Sequence, residues 1–339
     1  MPVSSSEGLP EVRGRHPKPA VCSPSDCRAP GPTRRLLLWN LRHHPHFWAY
    51  VSLLSVCFFW GTTYLSIRMA LESFPPLVLV ASRFTISGAL LLAAAFLKNA
   101  RLPRGRELWL TALNGVIILG IGNAALTYAE TWIASGLAAL ILTTSPFWLV
   151  GIEALVPGGE RLHAPTVVGM LIGLGGAALL VGPGVWDHSG GHSLLKGFLV
   201  LQLGCMCWCG GSIAQRRQVS RAHPVVSGGV QQLAAGVVFL VLALLIREHP
   251  IRWSFRGGGA LIYLVLFGSI VGYSAYIYAL DKLPVAVVSI YTYINPVVAV
   301  FLGWLFYREP FGAREAAAMG IIFAGVAVVK KYARAARAG

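Results

Sequence analysis

Two apolar stretches of this sequence are broken by a proline that sits beside a hydrogen-bonding side chain. In "SIYTYINPVVAVFLGWLFYREPFG", residues 289–312, Pro296 follows Asn295, with Tyr291 one helical turn before it and Ser289 and Thr292 nearby. A proline inside a helix leaves the carbonyl four residues earlier, here that of Thr292, without its usual donor. In hydrocarbon that carbonyl must be satisfied by protein or by a water-filled cavity. Asn295 therefore reads either as an amide offered to a solute on a transport path or as a cap on the freed carbonyl. "TTSPFWLV", residues 143–150, repeats the feature at Pro146, and Thr144, Ser145 and Trp148 occupy the matching position.

Other polar and aromatic groups fall inside apolar runs. Tyr273 and Tyr276, three apart, share a helix face and suit either stacking on a solute or anchoring hydroxyls near headgroups. Arg83 is the one Arg or Lys well inside an apolar run. An intramembrane charge is a functional candidate by default, with clamping of carbonyls between helices an equal alternative. Asn123, Gln231 and Gln232, together with Trp60, Thr63 and Tyr64 of "WGTTY", complete the candidate substrate-binding set. The small residues after Trp60 also suit close helix packing.

Other chemistries lack their parts. All nine His lie in the tail or in loops and no HExxH is present, so a serine such as Ser135 or Ser274 has no base, which disfavours an intramembrane enzyme. Cys205, Cys207 and Cys209 alternate along one run without a nearby His or carboxylate, so neither a metal nor a cofactor is expected. Of thirteen acidic residues only Glu153 falls inside an expected span, near its end and near Arg161. Glu130, Glu309 and the others fall at helix ends, in loops or in the tail. The expectation is a facilitator, or coupling without a buried carboxylate.

The elements that hold these residues follow from composition. With 55% hydrophobic and only 12% charged residues in 339, the bilayer is the expected solvent. Apolar runs near 48–71, 75–97, 107–129, 134–156, 164–182, 195–213, 225–246, 258–280, 283–306 and 313–330 predict an all-α membrane protein of ten transmembrane helices. Residues 1–47 read as a disordered basic cytoplasmic tail and 333–339 as a second basic tail. With ten spans and an inside N-terminus, the inside segments hold 20 Lys and Arg against seven outside, 11 of the 20 toward the two termini, so the net charge of +15 favours cytoplasmic termini by the positive-inside rule and not a nucleic-acid partner.

The chain is also internally repeated. At an offset of 150, Tyr128, Ala129 and Pro146 meet Tyr278, Ala279 and Pro296; at 149, Gly61, Arg68, Pro75, Glu160 and Gly176 meet Gly210, Arg217, Pro224, Glu309 and Gly325. Five helices per copy is odd, so 48–183 and 195–332 form inverted five-helix repeats, an architecture of secondary transporters. A membrane scaffold or receptor fits the same composition, but paired helix breakers favour a moving conduit. The stripes Gly169-x-x-x-Gly173 and Ala316-x-x-x-Gly320 read as packing inside the bundle, with a dimer face as the alternative, so oligomeric state stays open.

"FWGTTYLSIRMAL", "SRFTISGALLL", "GERLHAPTVVGMLIGLGGAALLV" and "REPFGAREAAAMGIIFAGVAVV" together resemble the EamA-type branch of the drug/metabolite transporter superfamily. The resemblance implies ten spans in two inverted halves and cytoplasmic termini. It also implies a central cavity lined mostly by helices 1, 3, 4, 6, 8 and 9, and transport of small metabolites, often as export, in a bacterial inner membrane. Ser145-Pro146 departs from the family by lacking Asn, and Glu153 stands where the family has an apolar or aromatic residue.

Overall fold

The computed structural model describes residues 47–157, 164–186, 191–218, 220–283, 285–288 and 290–338. The tail expected to be disordered, together with Glu160, Arg161 and Ser289, lies outside the described residues. Those described are helical and contain no strand. α1 spans Phe47–Leu71 and α2 spans Pro76–Leu97. α3 joins Arg106–Gly115, a wider π-helical piece Val116–Ile121, and Gly122–Ala129. α4 joins Ser135–Leu142 and Ser145–Leu155, α5 is Ala164–Trp186, α6 is Gly191–Arg217 and α7 is Pro224–Ile246. α8 joins Phe255–Tyr263, a second π-helical piece Leu264–Val271, and Gly272–Lys282. α9 joins Val285–Val288 and Tyr291–Tyr307, and α10 is Ala313–Ala338.

Local sequence explains the boundaries. α2 and α7 start on Pro76 and Pro224, where the missing N–H costs nothing. The hydroxyl of Ser254 caps α8 by accepting from Gly257 N at 3.0 Å. α7 and α9 stop at Arg247 and Arg308, both in the left-handed conformation. The break in α4 falls immediately before Pro146, whereas α9 remains helical through Pro296.

Among the described residues, length and hydropathy qualify seven helices, α1 to α4 and α6 to α8, to cross a membrane, where ten spans were expected. α5 runs 23 residues, Ala164–Trp186, and the continuous α-helical part of α9 runs 17, Tyr291–Tyr307. α10 dilutes its apolar part with basic residues toward the C-terminus. A span needs about 20 apolar residues, a length that α5 reaches and the continuous part of α9 does not.

The main packing partners come from opposite repeats. α2 lies along α7 and α5 along α10, while α1 packs on α8 and α9 and α6 packs on α3 and α4. Glycine permits the closest approaches. A Cβ on Gly88 would fall 2.3 Å from the Leu233 backbone, and one on Gly236 would fall 2.3 Å from that of Thr85. In the second seam a Cβ on Gly325 would meet Gly169 O and Gly173 N at 2.6 Å. The small-residue stripe of α5 is therefore used inside the bundle.

Candidate functional site

The two π-helical pieces occupy matching places in the two repeats, their first residues 148 apart and their last 150 apart. A π turn interrupts the regular hydrogen-bond ladder and is common at functional sites. Here the second piece exposes carbonyls to neighbouring helices. Trp60 Nε1 of α1 donates to Gly268 O at 3.1 Å, and Gln232 Nε2 of α7 donates to Ser269 O at 3.4 Å.

Around this break the structure gathers the polar candidates. Arg83 is 7% exposed; its Nε donates to Ser269 Oγ at 2.8 Å and its Nη1 to Asn123 Oδ1 at 3.3 Å. Both acceptors are neutral, and among the described residues no carboxylate pairs with this guanidinium. Gln232 accepts from Ser87 Oγ, and Gln231 accepts from the Tyr273 hydroxyl. Arg83–Asn123 and Gln231–Tyr273 each join the second helix of a repeat to the third; Asn123 and Tyr273 match at the offset of 150, while the match of Arg83 at 149 is the neighbouring Gln232. Thr63 turns its hydroxyl back to Trp60 O and its methyl toward Gly268.

An aromatic cluster adjoins the polar one. The Trp60 ring lies 5.0 Å from Tyr276, 5.2 Å from Tyr291 and 6.0 Å from Trp208, and Tyr276 lies 5.7 Å from Tyr291. Tyr64 is buried in the main core with Ala129, Ala139 and Leu140. Tyr278, by contrast, is exposed.

The remaining candidates pack on the first helix of the opposite repeat. Trp148 Nε1 donates to Gln202 Oε1 at 2.6 Å, Thr144 shares that amide, and Ser145 Oγ bonds Leu142 O, the carbonyl freed by Pro146. Asn295 is 4% exposed; in the amide orientation that satisfies its surroundings, it donates to Cys57 O at 2.9 Å and Tyr291 O at 3.1 Å. Its amide thus ties α9 to α1. Gln202, Trp208, Ser87 and Ser269 were not among the sequence candidates. Gln202 carries the same signal as Gln231, an amide in an apolar run.

Carboxylates organise both ends of the bundle. At one end Glu309 receives Ser135 N, Ser135 Oγ and Gly136 N at 2.9–3.0 Å and so caps α4. Glu248 receives Leu77 N and Val78 N at the start of α2 and the Tyr128 hydroxyl at 2.6 Å. At the opposite end Glu107 receives Arg221 N and Ala222 N before α7, and Glu153 pairs with Arg216 at 2.8 Å and Arg217 at 3.7 Å. Glu153 thus bridges α4 to α6. Glu130, expected simply at a helix end, is fully buried, and neither of its carboxylate oxygens has a hydrogen-bond partner among the described residues.

The EamA-like transporter family model matches residues 47–182 and 195–330, one copy on each repeat. The chain belongs to this family. YedA of Escherichia coli (strain K12), named an uncharacterized inner membrane transporter, is 34% identical over 282 residues, spanning 82% of this chain and 89% of its own. A WAT1-related chloroplastic protein of Arabidopsis thaliana is 26% identical over 84% of this chain and 69% of its own. A probable terminal-alkyne amino-acid exporter of Streptantibioticus cattleyicolor is 26% identical over 80% and 90%. One crystal structure, 23% identical, shares the fold over 84% of this chain and 98% of its own, with a TM-score of 0.62.

Proposed function

We propose that this membrane transporter is a secondary carrier exporting a small amino-acid-like or drug-like solute across an inner membrane. Ten spans in two inverted five-helix repeats form the path, and both termini are cytoplasmic. The observation that carries this reading is the buried guanidinium of Arg83, which among the described residues is held by the neutral Ser269 and Asn123 beside paired helical breaks. A solute carboxylate would complete it with charge-assisted hydrogen bonds. The Trp60–Tyr276–Tyr291–Trp208 cluster adds faces on which an apolar or cationic part can stack. Names among the relatives, an inner membrane transporter and an amino-acid exporter, support the location and the solute class.

Flux of a panel of proteinogenic amino acids in vesicles containing the purified protein tests this reading. Arg83→Gln should lower flux of the transported member at least tenfold while protein level is kept. Asn295→Leu should insert normally and lower transport less, because its amide serves α1 and Tyr291 as well. No flux across the panel, or full flux in Arg83→Gln, would remove the carboxylate assignment. Cytoplasmic fluorescent reporters at both termini test the orientation; one dark fusion overturns it.

A further inference from the structure

Glu130 follows the last turn of α3 and is the most enclosed carboxylate among the described residues, at 0% exposure. Its neighbours do not treat it as an ion. Arg68 of α1 donates to the Glu130 backbone carbonyl, and more distantly to Ile133 O at 3.5 Å, instead of to the carboxylate oxygens. Glu309 is already committed to the start of α4. The charged and titratable groups that face Glu130 are Arg68 and Tyr64 of α1 and Glu309 from the connection between α9 and α10.

A carboxylate without solvent or donors is costly to keep charged, whereas a neutral carboxylic acid, which carries one O–H donor of its own, is far less costly to bury in apolar surroundings. Burial pushes the Glu130 carboxyl well above the ordinary range, the Glu309 charge adds to the rise and Arg68 opposes it. Sequence symmetry isolates the residue further. Tyr128-Ala129-Glu130 meets Tyr278-Ala279-Leu280, so one repeat carries an acid where the other carries an apolar side chain.

We propose that Glu130 is a proton-binding site of the transport cycle, an assignment that rests on the transporter reading and adds its coupling ion. With this end of the bundle closed, the proton stays on one carboxyl oxygen. When α1, α4 and the α9–α10 connection separate, water takes the proton and the carboxylate remains, solvated and beside Arg68. Closure around the ion without a proton leaves a buried charge facing Glu309, so the end recloses when the proton returns. Proton release is thereby tied to opening. The expectation of a carrier without a buried carboxylate, drawn from position along the helices, gives way to this one.

Infrared spectroscopy of the purified full-length protein, without solute, tests the site. Wild type should show a protonated-carboxyl C=O band at neutral pH that disappears on alkalinisation and is absent from Glu130→Gln. Arg68→Gln, which removes the opposing cation, should move its disappearance to higher pH. No titrating band in wild type, or the same band in Glu130→Gln, overturns the proposal even if that variant folds poorly. A second arm uses vesicles loaded with a pH-sensitive dye and challenged with the amino-acid panel. Wild type should change internal pH with the transported member, and Glu130→Gln should lose at least nine-tenths of that change. Equal pH changes in both overturn coupling. A wild-type protein that moves no panel member counts against the transporter reading, while the solute-free band still decides the site.

Discussion

The two ends of the bundle use glutamate in opposite ways. At one end Glu153 and Glu107 meet arginines and backbone amides across partly exposed joints between repeats. At the other, Glu309 is buried against three donors of α4, while Glu130 is buried against none. Solvent access decides the difference, since an exposed pair is weakened by water and salt whereas a buried carboxylate must be paired, solvated or neutralised. Between the repeats the first end is held by replaceable contacts. The second holds carboxylate caps on α4 and α2, from Glu309 and Glu248, and one carboxyl, Glu130, buried without a donor.

The largest expected effect tests the cap on α4. Glu309→Ala removes the acceptor for Ser135 N, Ser135 Oγ and Gly136 N and should cost about 3 kcal/mol, read as a lower melting temperature in detergent. A cost below about 1 kcal/mol would mean that water replaces the glutamate, and the contrast between ends would vanish.

Next comes the pH dependence that Glu130 imposes. Its folded proton affinity is raised, so the folded protein keeps a proton that the unfolded chain releases at about pH 4.3. Stability from this group is complete below that pH and falls as pH rises toward the folded value, by about 1.4 kcal/mol per pH unit. Thermal unfolding from acid to neutral pH should show this decline in wild type and a flatter profile in Glu130→Gln. Parallel profiles would place the carboxyl in solvent.

Smaller effects bound the comparison. Tyr128→Phe removes the hydroxyl bound to Glu248 and should cost about 1 kcal/mol at the buried end. Glu153→Gln should cost less than about 1 kcal/mol at the exposed end, and its vesicle flux should match wild type. A larger loss in Glu153→Gln than in Tyr128→Phe would reverse the ranking of the two ends.

Much of the site was legible where the chemistry was out of place in the local sequence. Arg83, Gln231, Gln232, Asn123 and the Trp60 and Tyr276 rings all stood out as polar or aromatic groups at depth, and the structure brings them around one break. The π-helical pieces were not legible, because a wider turn leaves no mark in composition. Without it the pairing of Arg83 with Ser269 could not be foreseen. Glu130 stands at a helix end as expected, but its burial was not legible, because sequence gives position along a helix axis and not which neighbours close over its end. Among the described residues Glu153 pairs with Arg216 and Arg217, more than 60 residues away, which spacing along the chain does not reveal.

The α5–α10 seam bears on stoichiometry. Gly169, Gly173, Gly176 and Gly325 already face neighbouring atoms of the same chain at distances a Cβ would violate. These glycines are therefore spent on packing within one chain. The other stripe, Ala316-x-x-x-Gly320 of α10, differs: both residues are exposed and a Cβ on Gly320 would meet nothing within 4 Å. Enlarging the four seam glycines would then unseat the fold of each subunit and leave no separated, folded monomer to isolate.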